Sequence, residues 1–200
     1  MTSAQVVAAA VGIVDREGME ALTIRRVAEA CGLSPMGVYR HVRDKEELLD
    51  RVVDAVVGPA LEELHASGSW DEQVAELFRG CRRVNLAHPG VAVLCVLRPT
   101  PVISVARFFH RVLAALAEGG LEGADAVHAF DTLLIFTFGS VLWEIPRSDT
   151  VRQGLIAVAR GEEGAALIAE RAAELGHRDA EEYFEAGLET ILAGLRSRVV

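Results

Sequence analysis

The sequence predicts an all-α fold, and three observations lead to it. Along nearly the whole chain, apolar residues recur at helical rather than alternating spacing. Helix-start and helix-stop residues, such as Thr23 with Gly32 and Ser34 with Pro35, cut it into segments of helical length. The one continuous β-branched run, VAVLCVL at 91–97, has no partner strand, so it reads as a buried helix or an extended core segment.

Taken in order, the first helix spans about 4–17, and Gly18 supplies the left-handed stop. Thr23 caps the helix IRRVAEAC, which ends at Gly32. Ser34 caps a helix of about two turns over 35–42, with Pro35 at its first position, where a missing N–H costs nothing. Asp44 and Glu47 form a capping-box-like pair opening a helix through ELLDRVVDAVV to Gly58 and Pro59. A helix from Ser69-Trp70 to about Ala87 stops at His88-Pro89-Gly90, and Pro99 and Pro101 break the chain after the β-branched run. Helices at 102–118 and 124–144 flank the turn GGLEGA. The second of these is apolar nearly all round, which predicts burial on every side. A polar, glycine-containing connection with short helices follows at 145–178, then a final helix over about 179–195.

Composition bounds the function. Hydrophobic residues make up 51% and charged residues 24%, which fits a folded globular chain of one large or two modest domains. No apolar run is read as reaching the length of a membrane span, and VVAAAVGIV near the start lacks the basic lead and cleavage site of a signal peptide. These readings place the chain in the cytosol. Cys31, Cys81 and Cys95 are odd in number and widely spaced, which argues against a disulfide framework or a zinc site. They read as small buried hydrophobes, with a redox-responsive regulator acting through Cys81 and Cys95 as an alternative. Nothing resembles a nucleophile with its base, a phosphate loop or a metal constellation, so a helical enzyme is the weaker rival.

The net charge is −9, yet five cations (Arg25, Arg26, Arg40, Arg43, Lys45) gather between residues 25 and 45 against only Glu29 and Asp44. A basic patch on an acidic body points to one anionic partner docking at one place. Two short helices joined through Gly-Leu-Ser form a helix-turn-helix. The second begins with Pro35, Met36 and Gly37, which are small or apolar and can approach base edges and thymine methyls. Tyr39, Arg40, His41 and Lys45 are hydrogen-bond donors suited to backbone phosphates.

The stretch LTIRRVAEACGLSPMGVYRHVRDKEELLDRVVD, residues 22–54, resembles the N-terminal domain of the tetracycline-repressor family. It carries that family's Leu-Thr-x-Arg, Val-Ala, Gly-Leu-Ser, Tyr-x-His-Val and Lys-x-x-Leu-Leu elements. More loosely, GSWDEQVAEL, HPGVAV, LRPT and AVHAFDTLLIFTFGSVLWE are similar to the ligand-binding domain of the subfamily containing the tetracycline repressor. The resemblance implies a DNA-binding domain over 1–46 and a ligand-binding and dimerisation domain over 47–200. It further implies a homodimer, commonly a repressor, on a palindromic operator in double-stranded DNA, without a membrane partner. Base contacts would fall on Arg25, Pro35, Met36 and Gly37, and phosphate contacts on Thr23, Tyr39, His41 and Lys45, with Arg40 and the helix-capping Ser34 completing the DNA-binding set.

The same resemblance places Leu94 where the tetracycline repressor holds its magnesium with histidine, and Leu97 at a neighbouring polar contact. A leucine cannot ligate a hard cation, so no metal or other cofactor is expected. A pocket of Leu77, Cys81, Leu94, Leu97, Phe108, Phe109, Phe130, Leu134, Phe138 and Trp143 would instead take an apolar or aromatic effector. Arg82, Arg98 or Arg107 is a candidate partner for an acidic group on it. The stripe Phe184, Leu188, Ile191 and Leu195 is read as the dimer seam, packing as a four-helix bundle with the helix at 124–144, where Gly139 and Ser140 allow close approach.

Overall fold

The computed structural model describes residues 1–98, 101–144, 170–171 and 179–199. Nine α-helices among the described residues account for most of them: α1 (Ser3–Glu17), α2 (Ile24–Cys31), α3 (Pro35–Tyr39), α4 (Lys45–Glu62), α5 (Trp70–Ala87), α6 (Pro89–Leu97), α7 (Ile103–Glu118), α8 (Gly123–Glu144) and α9 (Ala180–Arg196). The expected connection at 145–178 lies outside the described residues except for Glu170 and Arg171.

Local chemistry sets the boundaries. Arg26 N–H donates to Thr23 Oγ1 at 3.1 Å, Gly37 N–H to Ser34 Oγ at 3.2 Å and Glu47 N–H to Asp44 Oδ1 at 2.8 Å, one cap for each of α2, α3 and α4. Gly32 ends α2 at φ 64°, a left-handed conformation that glycine adopts without a Cβ penalty. Glu47 also draws Arg43 and Arg51 together, while Arg51 reaches Ser3 on α1 at 2.7 Å. Hydrogen bonds from the Arg43 backbone and side chain hold the Glu47 carboxyl down at about 2.

Four expectations about the elements are corrected. α3 is one turn shorter than read, because Val42 turns inward to 3% exposure and Asp44 must adopt an extended conformation to cap α4. α4 does not stop at Pro59 but carries it inside the helix. The interior proline costs about 3 kcal/mol, and continuing the helix seats Leu61 in the core, which returns about 1.5–3 kcal/mol. The β-branched run, by contrast, takes the helical one of its two readings as α6, with Val91, Ala92 and Leu94 buried. α8 is not enclosed on all sides. Phe130, Leu133, Thr137 and Val141 face inward, while Val127, Ile135 and Trp143 lie on the outer side, Ile135 at 73% exposure. This 22-residue helix is also long and apolar enough to cross a membrane by length and composition, contrary to the reading that no run is.

Two hydrophobic cores result. The first joins α1, α2, α3 and the first half of α4 to Val91 and Leu94 of α6. The second joins α5, α7, α8 and α9 to Leu61 at the end of α4. α4 therefore belongs to both cores, while α6 contributes to the first and also packs against α5 and α8. α6 sits directly on the end of α1. A Cβ added at Gly90 would lie 2.1 Å from the Val14 carbonyl oxygen, and His88 Nδ1 is 2.7 Å from Asp15 Oδ2.

Candidate DNA interface and ligand cavity

Val38 is fully buried and anchors α3, leaving Pro35, Met36, Tyr39 and Arg40 on the outer surface. Met36 is 69% exposed, a large apolar side chain held toward solvent at the tip of the reading helix. Gly37 lies beside Leu33, whose Cβ would be 3.3 Å from an added methyl. His41 and Lys45 are half-buried beside this surface, and Thr23 and Ser34 are exposed caps.

The cations separate into two groups. Arg26 clamps Glu17 at 2.8 Å and ties α2 to α1, and Arg43 pairs with Glu47. Arg40 and Lys45 form no ion pair among the described residues. Arg25 pairs with Glu29 at 3.1 Å, but its side chain is 85% exposed and such pairs contribute little. The patch thus keeps a subset of its charge available to an anion.

Between the two cores lies a cavity of about 790 Å³. Of the ten residues expected to line a pocket, Cys81, Phe108, Phe109, Leu134 and Phe138 do so. The other five do not. Leu77 and Phe130 are packed in the second core, and Leu94 is packed in the first at zero exposure. Leu97 and Trp143 face outward, at 64% and 53% exposure. Val57 and Leu61 of α4, Val84 and Asn85 of α5, Cys95 of α6 and the 101–106 stretch complete the wall. Asn85 carried no sequence signal, since an asparagine late in an amphipathic helix reads equally as a surface residue. Phe109 and Phe130 pack 4.4 Å apart between ring centroids, and Phe78 meets Phe108 edge-on at 5.6 Å.

The three arginines proposed for an acidic ligand are occupied elsewhere. Arg82 holds Glu144 and Glu181 together and lies 4.8 Å from the Phe184 ring centroid. Arg98 reaches Glu46 at 2.8 Å and Asp50 at 2.9 Å, and Arg107 pairs with Glu62 at 3.0 Å. Burial pushes the Cys81 thiol up to about 12 and the Cys95 thiol up to about 11. Both are protonated at neutral pH, the opposite of the low thiolate pKa that a redox sensor uses. No group of three or more His, Cys, Asp or Glu could hold a metal ion among the described residues.

The stripe expected at the dimer seam packs largely inside the protomer. Phe184, Leu188 and Leu195 are buried within the protomer against α5 and α8, and Ile191 is half-buried beside them. Phe184, Leu188 and Leu195 therefore serve the protomer's own core. Gly139 remains on an open face, with nothing within 4 Å of an added Cβ.

Residues 6–52 match the family model described as bacterial regulatory proteins, tetR family, and residues 63–199 match the tetracyclin repressor-like C-terminal domain. The chain belongs to the tetracycline-repressor family. It is a DNA-binding, ligand-binding transcription regulator of that family rather than an enzyme. An HTH-type transcriptional regulator of Saccharopolyspora erythraea is 29% identical, covering 98% of this chain and 84% of that protein. The class A tetracycline repressor protein from transposon 1721 of Escherichia coli is 32% identical, covering 70% and 65%. Apo ActR of Streptomyces coelicolor superposes with a TM-score of 0.82 at 30% identity, covering 98% of this chain and 95% of ActR. ActR in complex with actinorhodin gives 0.82 at 29%, covering 100% and 98%.

Proposed function

We propose that this tetracycline-repressor-family protein is a homodimeric repressor in the cytoplasm, released from a palindromic operator by an apolar or aromatic small molecule. Residues 1–46 would read DNA, with Arg25, Pro35, Met36 and Gly37 at base edges and Thr23, Tyr39, Arg40, His41 and Lys45 at phosphates. Residues 47–200 would sense the effector and dimerise. One observation carries the reading. α4 holds the first core with Leu48, Leu49, Val52 and Val53 and walls the cavity with Val57 and Leu61.

Two elements would transmit occupancy. A molecule pressing on Val57 and Leu61 acts on the helix that opens with Lys45. One pressing on Cys95 acts on α6, whose Arg98 grips Glu46 and Asp50. The DNA requires the two reading helices about 34 Å apart, so a small tilt of α4 in each protomer breaks the match. An effector shifts this equilibrium only by its differential affinity for the two placements. ActR complexes with actinorhodin and with (S)-DNPA support a small organic ligand, and a Streptomyces coeruleorubidus relative named as a repressor supports the sign of regulation.

The seam we propose uses the outer face of α8, Val127, Ile135 and Gly139, against α9 through Thr190 and Gly194. All are exposed in the protomer, and Gly194 as well as Gly139 leaves open space for close approach. Selection from random duplex DNA tests the reading. It should recover a two-fold palindrome at moderate salt, and recovery of none would defeat it.

A further inference from the structure

Among the described residues, the cavity wall carries no charged side chain and one hydrogen-bonding amide, Asn85. Asn85 is 4% exposed, so its amide faces protein and cavity rather than bulk water. Its Nδ2 donates to the Cys81 carbonyl, one turn earlier on α5, at 2.7 Å. A carbonyl can only accept, so the nitrogen must lie on that side, and Oδ1 is the atom left over. Oδ1 makes no hydrogen bond among the described residues, nor is it sealed away from a solvent-sized neighbour as Thr137 Oγ1 is. It is an acceptor of fixed direction in an otherwise apolar wall.

We infer that Asn85 is the specificity-determining residue of the cavity, and that the effector is neutral and aromatic and carries a hydrogen-bond donor, a phenolic O–H or an amide N–H, that docks on Asn85 Oδ1. This rests on the reading of the cavity as the effector site and adds what that site selects. An anionic effector is disfavoured because the cavity wall offers it no cation among the described residues, and a charge buried without a partner is expensive. An effector with no donor leaves a buried carbonyl without water or partner. An apolar wall discriminates weakly between molecules of one shape, whereas an oriented polar atom discriminates strongly against an analogue lacking the matching group.

The test compares 2-hydroxyanthraquinone with 2-methoxyanthraquinone, binding each to the full-length protein by calorimetry at a pH below the phenol's ionisation. The native protein should prefer the phenol by about tenfold or more. Asn85→Leu removes the acceptor while keeping the volume close, and should bring the two ligands to within about threefold, mainly by losing affinity for the phenol. Asn85→Ala should do the same should the leucine crowd the cavity. Equal binding of the two ligands by the native protein overturns the inference, as does a preference that survives in both variants. In either case the aromatic cavity itself stands. Binding of neither ligand to the native protein overturns the aromatic-cavity reading and the inference with it.

Discussion

Gly90→Ala is the sharpest perturbation of the contact between the two halves. The new methyl carbon would lie 2.1 Å from the Val14 carbonyl oxygen, 2.6 Å from the Val14 carbonyl carbon and 2.9 Å from the Asp15 Cα. All three are backbone atoms at the last turn of α1, so no side-chain rotation relieves the clash. α6 must retreat by about 1 Å or more, which strains a packed core by about 1–3 kcal/mol. The His88–Asp15 contact at 2.7 Å spans the same junction and would open with it. At about 2–4 °C per kcal/mol for a chain of this size, the melting temperature should fall by about 2–12 °C. The cavity wall is formed mostly by α4, α5, α7 and α8, so effector binding should change little. Release of operator by a saturating effector should fall well below its native factor, since coupling of this kind amounts to about 1–3 kcal/mol. Melting, calorimetric titration of effector and operator titration with and without effector measure the three quantities. A variant with native melting and native release would refute the assignment of α6 as a coupling element.

Removing donors by Tyr39→Phe or Lys45→Ala should weaken binding to every DNA sequence and flatten its salt dependence, whereas changes at Met36 should alter which bases are preferred. Filter binding across a salt series and a set of operator variants separates the two. Ile135→Glu should give a folded monomer with little operator affinity, while Leu188→Glu should lose the fold by burying an unpaired charge; sedimentation and circular dichroism distinguish them, and a folded, monomeric Leu188→Glu would return the seam to the stripe on α9. Glu47 is held near 2 in the folded state against an ordinary 4.5. Its lowered value contributes stability that is complete above about 4.5 and is lost as pH falls toward 2. Native protein should therefore lose more stability over that window than Glu47→Gln.

Much of the fold was legible because its signals are local. Thr23, Ser34 and Asp44 cap helices by hydrogen bonds within three residues, so the caps could be read from residue type and spacing alone. The exposure of Pro35, Met36 and Tyr39 follows from an equally local cause, since Val38 is the buried member of a short helix and its neighbours face out. What sequence spacing could not show was which apolar side meets which partner. Phe184, Leu188 and Leu195 form a faultless stripe, but a stripe fits a protomer core as well as a seam between chains, and here α5 and α8 cover it. Leu94 looked like a cavity residue by resemblance, yet α6 turns it onto α1, while its neighbour Cys95 faces the cavity. The Leu61 contribution was missed because Pro59 signals a stop, yet α4 runs through it and seats Leu61 in the core.

The central claim is that filling the cavity between the two cores with a neutral aromatic molecule releases DNA without a metal ion. Titrating 2-hydroxyanthraquinone into the protein–operator complex, with and without a divalent-cation chelator, tests it directly by fluorescence anisotropy of labelled operator. Release at the same ligand concentration in both conditions, abolished by filling the cavity with Ala106→Trp, is the predicted result. Release that requires magnesium, or binding of the ligand that leaves the operator complex intact, would contradict the account.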